Sequence, residues 1–226
     1  MILGILGGMG PLATCELFKR IIELTRADKD QDHIHTIIDN NTKIPDRTKY
    51  ILENGEDPRP EMIRSLIRLE SMGADHIAIP CNTAHYFYDH ISAYTSVNII
   101  NMIYETATYL KENHGEIEEY LLLATEGTYE MKVYDRYFEK LGLKILVPND
   151  EDKKILMDWI HGVKSSRIDV GLEEFEGLVE KYRAGKNMPI IVGCTELSVL
   201  VKEIKYSKKY FDSMTILAEK CVELAV

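Results

Sequence analysis

Short apolar runs alternate along the chain with longer stretches whose apolar residues recur every three or four positions. The runs have the length of strands and the stretches have the length of helices. The runs predict strands at residues 2–6, 33–39, 97–100, 120–124 and 144–147. The longer stretches predict helices at about residues 12–27, 104–113, 133–141, 152–163, 172–184 and 213–225. Strands that alternate with helices in this way favour an α/β fold with mostly parallel sheets.

Two further apolar runs end in a cysteine that is followed by polar side chains. Residues 75–85 read D-H-I-A-I-P-C-N-T-A-H, and residues 188–197 read M-P-I-I-V-G-C-T-E-L. This pattern is typical of a buried strand that leads into a helix, so it predicts Cys81 and Cys194 at the carboxyl ends of strands. Open α/β sheets bind their ligands at these ends. Either cysteine alone is more simply explained as a buried free thiol, but the pair favours a shared site.

A thiol at the start of a helix faces unpaired backbone N–H groups and the positive end of the helix dipole. We therefore expect the pKa of such a thiol to fall below its ordinary value of about 8.5, toward the range of reactive cysteines. The same N–H groups are able to hold a carboxylate. The two cysteine sequences together predict an anion site beside reactive thiols.

The two halves of the chain repeat one pattern. Seventy-one residues separate Gly10 from Cys81, and 67 separate Gly127 from Cys194. This near-equality predicts two similar halves that face each other, each supplying one thiol. We expect an N-terminal α/β lobe at residues 1–101 and a C-terminal α/β lobe at residues 102–207. The closing helix within 208–226 is expected to pack back on the first lobe.

The composition is that of an ordinary soluble globular protein, with 226 residues of which 45% are hydrophobic and 28% are charged. No apolar run approaches the roughly 20 residues that span a membrane. The opening M-I-L-G-I-L-G-G lacks the basic flank and the long apolar core of a signal peptide. The net charge of −10 argues against nucleic-acid binding, because counterion release needs a basic surface. We therefore expect neither a membrane nor a nucleic-acid partner.

The four cysteines have no repeating spacing, so they predict neither a disulfide framework nor a zinc ribbon. A reducing cytoplasm is the expected location. Cys15 and Cys221 lie on predicted helices and are expected to be core residues. Cys81 and His85 lie four residues apart and could share a helix face near Cys194. No further ligand cluster accompanies them, so we expect no metal.

An acidic protein that binds an anion needs local cations to offset its own field, which draws attention to Arg47. Residues 44–48 read I-P-D-R-T and predict a loop after the second strand. Arg47 forms either a surface salt bridge with Asp46 or Glu53, the commoner case, or a bidentate contact with a bound carboxylate. The glycine-rich turn at residues 7–11 misses the spacing of a dinucleotide fingerprint, so we expect no nucleotide cofactor.

Two facing thiols suit the inversion of an acidic carbon such as the Cα of an amino acid. One group removes the proton on one face while the other returns a proton on the opposite face, which requires an acid/base group on each side. A thiolate and a thiol meet this requirement, because each leaves the turnover in the form in which its partner began. The carbanion also needs its carboxylate held by donors.

Five segments carry a resemblance to a known family. They are G-I-L-G-G-M-G-P at residues 4–11, I-P-D-R-T at 44–48, P-C-N-T-A-H at 80–85, L-L-A-T-E-G-T at 122–128 and G-C-T-E-L at 193–197. With these segments in this order, nearly the whole chain resembles the aspartate/glutamate racemases, in particular the pyridoxal-independent aspartate racemases and their broader-specificity relatives. The resemblance implies two pseudo-symmetric α/β lobes, an active site in the cleft between them, a homodimer and no cofactor.

The family pattern also implies roles for individual residues. Cys81 and Cys194 correspond to the two bases. The implied substrate-binding residues are Met9, Arg47, Asn82, Thr83, Thr125, Lys164 and Thr195. Among them, the amide and hydroxyl side chains donate to the α-carboxylate, and Met9 packs against the substrate. Arg47 and Lys164 hold the distal carboxylate of aspartate.

Three of these interpretations have structural alternatives. Lys164 is either a substrate contact or a solvated lysine beside Ser165. Glu196 either tunes the neighbouring thiol or complements a helix N-terminus electrostatically. His85 either tunes the thiol of Cys81 or supports the packing of its own helix.

The leading hypothesis is racemisation of aspartate without a cofactor. A glutamate-selective or broad-specificity racemase and a maleate isomerase on the same scaffold are alternatives within enzymes. A small dicarboxylate-binding protein without catalytic activity is the alternative from another class. The sequence does not decide between aspartate and glutamate, since Arg47 and Lys164 would serve either according to the depth of the cleft.

Overall fold

The computed structural model describes residues 1–184 and 188–225. In this part of the chain two four-stranded sheets form, with every strand pairing parallel. The first sheet contains β1 (Ile2–Gly7), β2 (His35–Asn40), β3 (His76–Ala78) and β4 (Asn98–Ile100), in the order β2-β1-β3-β4. The second contains β5 (Glu119–Ala124), β6 (Lys144–Leu146), β7 (Ile190–Gly193) and β8 (Tyr210–Asp212), in the order β6-β5-β7-β8. The matching strand orders confirm the predicted pair of pseudo-symmetric α/β lobes.

Helices connect the strands within each sheet. Those of the first half are α1 (Pro11–Leu24), α2 (Arg47–Glu53), α3 (Arg59–Ser71), α4 (Tyr88–Ile91) and α5 (Met102–Asn113). Those of the second half are α6 (Glu126–Glu130), α7 (Asp135–Phe138), α8 (Asp150–Lys164), α9 (Leu172–Arg183), α10 (Thr195–Glu203) and α11 (Ser213–Ala225). This alternation of strand and helix follows the predicted pattern and produces the parallel pairing.

Helical spacing places the apolar side chains of each long helix on the face that covers a sheet. On α3, Met62, Leu66 and Leu69 are fully buried and belong to one cluster with Leu6 and Ile77 of the first sheet. Burial of such side chains contributes about 1.5–3 kcal/mol each relative to an exposed position. The equivalent face of α8 packs on the second sheet in the same manner.

The closing helix α11 packs on the first lobe. Its buried residues Met214, Leu217 and Cys221 share a cluster with Leu3 of β1 and Leu17 of α1. The strand β8 precedes this helix and pairs with β7 of the second sheet, so the segment from β8 to the end of α11 touches both sheets. The division into 1–101, 102–207 and 208–226 stays a prediction.

Several elements differ from those that the sequence pattern predicts. A helix, α2, begins at Arg47 inside the predicted loop, because the Asp46 side chain accepts the N–H of Lys49 and caps it. The predicted helix through residues 133–141 is split between α7 and a 3₁₀ turn at Glu139–Leu141. Cys15 was expected in the core but is exposed on α1.

None of the helices within residues 1–184 and 188–225 combines the length and the apolar character that crossing a bilayer demands.

Candidate active site between the two lobes

The strand ends of both sheets face one cleft. Met9 lies just beyond β1, Cys81 lies three residues beyond the end of β3, Thr125 follows β5 and Cys194 follows β7, and all four line the cleft. In the first sheet the chain passes from β1 to β2 on one side and later to β3 on the other side, so the direction of the connections reverses between β1 and β3. In the second sheet the same reversal occurs between β5 and β7. Such switch points are where open α/β sheets bind ligands. Each lobe therefore contributes its ligand-binding edge to a shared space.

The cleft collects ten of the eleven site residues predicted from the sequence, and His85 is the exception. Its lining residues are Met9, Asp46, Arg47, Thr48, Cys81, Asn82, Thr83, Thr125, Lys164, Gly193, Cys194, Thr195 and Glu196. Three of these, Asp46, Thr48 and Gly193, were not singled out by sequence, although they adjoin residues that were. The carboxylate of Asp46 is engaged as the cap of α2, which makes its role structural.

Cys194 is buried at the N-cap position of α10. Its Sγ–H donates a hydrogen bond to Oε2 of Glu196 at 3.1 Å. Burial and the negative charge of Glu196 raise the pKa of the Cys194 thiol well above its ordinary value, while the positive charge of Lys164 acts in the opposite direction. The expectation that the helix terminus lowers the pKa of the thiol is therefore wrong for Cys194.

The physical reason for this correction is burial, the largest cause of the rise in pKa, together with the charge of Glu196. Both act against the helix terminus. A helix N-terminus stabilises a nearby negative charge by about 0.3–1 kcal/mol, or up to about 2 kcal/mol when partly buried. Two like unit charges about 4 Å apart repel by about 4 kcal/mol at an effective dielectric constant near 20. Burial and the carboxylate of Glu196 together outweigh α10, and Cys194 is held as a thiol.

His85 supports the backbone around Cys81. The residue lies in a 3₁₀ helix, Thr83–Phe87, where a regular helix was expected. Its Nδ1–H donates to the carbonyl oxygen of Cys81 at 2.9 Å, and its Nε2 accepts the backbone N–H of Met102 at 3.1 Å. Burial lowers the pKa of His85 to about 4, so the ring is neutral near pH 7. These contacts favour the packing role over thiol tuning.

Arg47 is buried against the cleft, with 8% of its surface exposed. Its guanidinium donates to the carbonyl oxygens of Ile44 at 3.3 Å, Pro45 at 2.8 Å and Met9 at 3.2 Å. Its Nε is buried without a hydrogen-bond partner in the part of the chain that the structure describes. Arg47 is buried, and its charge still helps to lower the pKa of Asp46, but none of the salt bridges among the described residues includes it. Of the two alternatives, the surface ion pair therefore fits the structure less well. A buried cation with a spare donor suits a bound anion.

Three buried threonine hydroxyls form a ring that joins the lobes. Thr83 of the first lobe lies 2.8 Å from Thr125 and 3.1 Å from Thr128, which belong to the second lobe. The hydroxyls of Thr125 and Thr128 are 3.0 Å apart. Thr128 was not predicted as a site residue, although it closes the quoted segment L-L-A-T-E-G-T. Thr128 orients the hydroxyls of Thr83 and Thr125, which are two of the candidate donors to a carboxylate.

The lobes approach each other closely at Gly127. A Cβ at this position would lie 3.1 Å from Oγ1 of Thr48 and 3.1 Å from Cγ2 of Thr83, both in the first lobe. Contacts this short require the neighbours to move. The missing side chain of Gly127 is therefore what allows the threonine ring to close between the lobes.

Lys164 is the last residue of α8 and lines the cleft although it is exposed. Its positive charge is near enough to Cys194 to oppose the rise in pKa of that thiol. Both interpretations of Lys164 from the sequence, solvated lysine and substrate contact, fit this position. The site thus has a buried cation, Arg47, and a solvated one.

Residues 1–184 and 188–225 contain no group of three or more His, Cys, Asp or Glu side chains arranged to hold a metal ion. The two similar lobes, with one thiol from each in the cleft between them, define the class of two-lobed α/β racemases. The chain belongs to the Asp/Glu/hydantoin racemase family, whose sequence model matches residues 6–221. It is an amino-acid racemase of the isomerase class.

Relatives of the chain are similar to it over nearly their whole length. The broad-specificity amino-acid racemase RacX of Bacillus subtilis is 27% identical over 97% of this chain and 96% of its own. The solved aspartate racemase of Picrophilus torridus is 32% identical, with a TM-score of 0.88 over 99% of this chain and 94% of its own. An aspartate racemase homologue from Pyrococcus horikoshii is 30% identical, with a TM-score of 0.79 over 99% and 98%.

Glu196→Gln should move the alkaline limb of the pH profile to lower pH. If the two cysteines are the acid/base pair, the site is active while one thiol is ionised and the other is not, so the alkaline limb reports loss of the second proton. Because the charge of Glu196 contributes to the raised pKa of Cys194, removing this charge should shift the alkaline limb in kcat/KM to lower pH. Initial rates of racemisation measured across pH test this expectation.

Glu126→Gln is the matched control for the change at Glu196. Glu126 is also an acid in the first turn of a helix, α6, but it does not line the cleft. Its variant should keep the wild-type pH profile. An unchanged alkaline limb in Glu196→Gln would mean that Glu196 serves only the helix terminus.

Proposed function

We propose that this chain interconverts L- and D-aspartate through two cysteine bases without a cofactor. The single observation that supports this most is the presence of Cys81 and Cys194, one from each lobe, on the wall of the same cleft. Inversion at Cα requires an acid/base group on each face of the carbon, and two opposed lobes are suited to supply them.

The proton transfers balance without another reactant. The thiolate of one cysteine takes the proton from Cα, so that it becomes a thiol and the C–H electron pair stays on the substrate as a carbanion. The thiol of the other cysteine then donates its proton to the opposite face and becomes a thiolate. Since burial and Glu196 hold Cys194 as a thiol, Cys194 is expected to begin the turnover as the proton donor. The reverse reaction exchanges these roles.

Substrate binding rests on the donors and cations of the cleft. Asn82, Thr83, Thr125 and Thr195 are buried there and are assigned to the α-carboxylate. Arg47 and Lys164 are assigned to the distal carboxylate, for which the unpaired Nε of Arg47 is a spare donor. Donors fixed before the reaction stabilise the charge of the carbanion without reorganising, which is a large source of catalysis. Two similar solved structures are described as an aspartate racemase and its homologue, which favours aspartate.

A broader substrate range is the second candidate, and one feature of the surface favours it. Arg47, Lys164 and Glu196 also line a groove that continues from the cleft along α1 and α10. The other lining residues are Gly10, Pro11, Leu12, Ala13, Cys15, Ser166 and Val199, which are mostly apolar. A side chain longer than that of aspartate would find room there. The relative in Bacillus subtilis is described as a broad-specificity racemase.

The decisive experiment is exchange at Cα in deuterated water, without added pyridoxal phosphate or metal. Both enantiomers of aspartate should gain deuterium and approach a racemic mixture on chiral chromatography. A panel with glutamate, asparagine, other amino acids and maleate separates the aspartate racemase from its alternatives. If neither enantiomer exchanges Cα–H while succinate still binds, the dicarboxylate-binding alternative is favoured. Homodimer formation and a cytoplasmic location are further parts of the proposal.

A further inference from the structure

One wall of the cleft depends on a residue that does not line it. Tyr134 lies between α6 and α7 of the second lobe and is fully buried. Its hydroxyl donates a hydrogen bond to Oδ1 of Asn82 in the first lobe, with an oxygen–oxygen distance of 2.6 Å. The ring of Tyr134 packs against Phe138 with 5.4 Å between ring centroids, which fixes its direction.

The hydroxyl of Tyr134 keeps its proton and donates it to Oδ1 of this amide. Burial raises the pKa of Tyr134 above its ordinary value, so the group keeps its proton near neutral pH. Gly193 provides the space that this contact needs, because a Cβ there would lie 3.2 Å from the tyrosine oxygen. Gly193 directly precedes Cys194, so the tyrosine reaches Asn82 just behind a candidate base.

The bond from Tyr134 decides which end of the Asn82 amide is offered to the cleft. The two ends of an amide have nearly the same shape, and their partners determine the orientation. Oδ1 is occupied by the tyrosine proton, whereas Nδ2 is buried with no partner among the described residues. A buried donor left without a partner costs about 1–3 kcal/mol, which a bound carboxylate would recover.

We propose that Tyr134 is a positioning residue that locks the Asn82 amide with its NH₂ group available to the substrate carboxylate. This inference rests on the proposed function. It also means that the donor from the first lobe is oriented only when the second lobe is in place. Tyr134 acts through Asn82 and makes no contact with the reacting atoms.

Tyr134→Phe removes only the hydroxyl and tests the proposal. With the amide free to turn, we expect kcat/KM for aspartate to fall about tenfold, mainly through a higher KM. In an Asn82→Ala background the same change should have no further effect, because the residue through which Tyr134 acts is gone. An equal fall in kcat/KM in the wild-type and Asn82→Ala backgrounds would overturn the proposal. So would an unchanged kcat/KM in the wild-type background.

Tyr137→Phe is the matched control. The hydroxyl of Tyr137, on α7, is likewise hydrogen-bonded to an asparagine amide: it accepts from Nδ2 of Asn101 at 2.8 Å. Neither residue lines the cleft. Its variant should retain the wild-type KM. A comparison of thermal unfolding among the wild-type protein, Tyr134→Phe and Tyr137→Phe shows whether loss of a hydroxyl affects the fold.

A readout that needs no turnover separates this inference from the proposed function. The side-chain amide signal of Asn82 in a ¹⁵N NMR spectrum is identified by its loss in Asn82→Ala. It should shift in Tyr134→Phe and stay in place in Tyr137→Phe. An inactive wild-type protein with this shift would contradict the proposed function alone, whereas an unmoved Asn82 signal would contradict the role of Tyr134.

Discussion

Replacing either Cys81 or Cys194 by alanine should lower kcat for racemisation by about 10²- to 10⁴-fold, the usual contribution of one acid/base group. The loss follows because one face of Cα then has no group to remove or return a proton. Both thiols are small and buried, and alanine keeps most of their volume, so the variants should fold. Chiral chromatography of aspartate over time measures the effect.

The two variants should also differ from each other in a specific way. Each keeps one thiol, which can still exchange the Cα proton of the enantiomer whose C–H bond it faces. We therefore expect slow deuterium uptake from one enantiomer in Cys81→Ala and from the opposite enantiomer in Cys194→Ala. Uptake from the same enantiomer in both variants would contradict the assignment of one base to each face.

Cys221→Ala provides the control for thiol removal. Cys221 is buried on α11 outside the cleft, and burial raises its pKa to about 12, so it is a neutral core thiol. Its variant should lose some stability and keep its turnover. Similar losses of turnover in all three variants would point to damaged folding.

Arg47→Met should produce the second large effect, a fall of about 10- to 150-fold in kcat/KM for aspartate. This range corresponds to about 1.5–3 kcal/mol, the contribution of a hydrogen bond to a charged group. Asparagine lacks the distal charge, so its Cα–H exchange should fall much less. Parallel exchange rates for the two amino acids measure the preference that Arg47 provides.

The ratio of the two rates distinguishes binding from structural support. Arg47 also donates to three backbone carbonyl groups, so its loss will disturb the turn after β1 and the start of α2. That disturbance would lower both rates equally. Lys49→Met removes an exposed cation from the same helix and should leave the preference for aspartate unchanged. An unchanged ratio in Arg47→Met would contradict contact with the distal carboxylate.

The sequence was sufficient to predict the lobes and most of the cleft. Strand ends can be recognised from local apolar runs, and parallel strands bring their carboxyl ends to one edge of a sheet. Cys81 and Cys194 could therefore be placed at such edges from short segments alone. The repeated spacing from a glycine turn to a cysteine then predicted the second lobe.

Features that depend on contacts between distant residues could not be predicted in this way. β8 has three residues after a pair of lysines, and its pairing with β7 fixes it as a strand. The bond between Tyr134 and Asn82 joins residues 52 positions apart on different lobes. The raised pKa of Cys194 requires the fold, because burial and the orientation of Glu196 outweigh the local helix.

The ring of Thr83, Thr125 and Thr128 has a consequence for the strength of substrate binding. Each hydroxyl carries one proton, and the three oxygen–oxygen contacts of the ring are enough to engage all three protons. An arriving carboxylate receives a proton only if one threonine releases another, so the count of hydrogen bonds hardly rises. On the proposed function, this exchange leaves the gain in affinity to donors outside the ring, namely Asn82, Arg47 and Lys164. It predicts weaker binding of amino acids without a distal carboxylate, and easy release of either product.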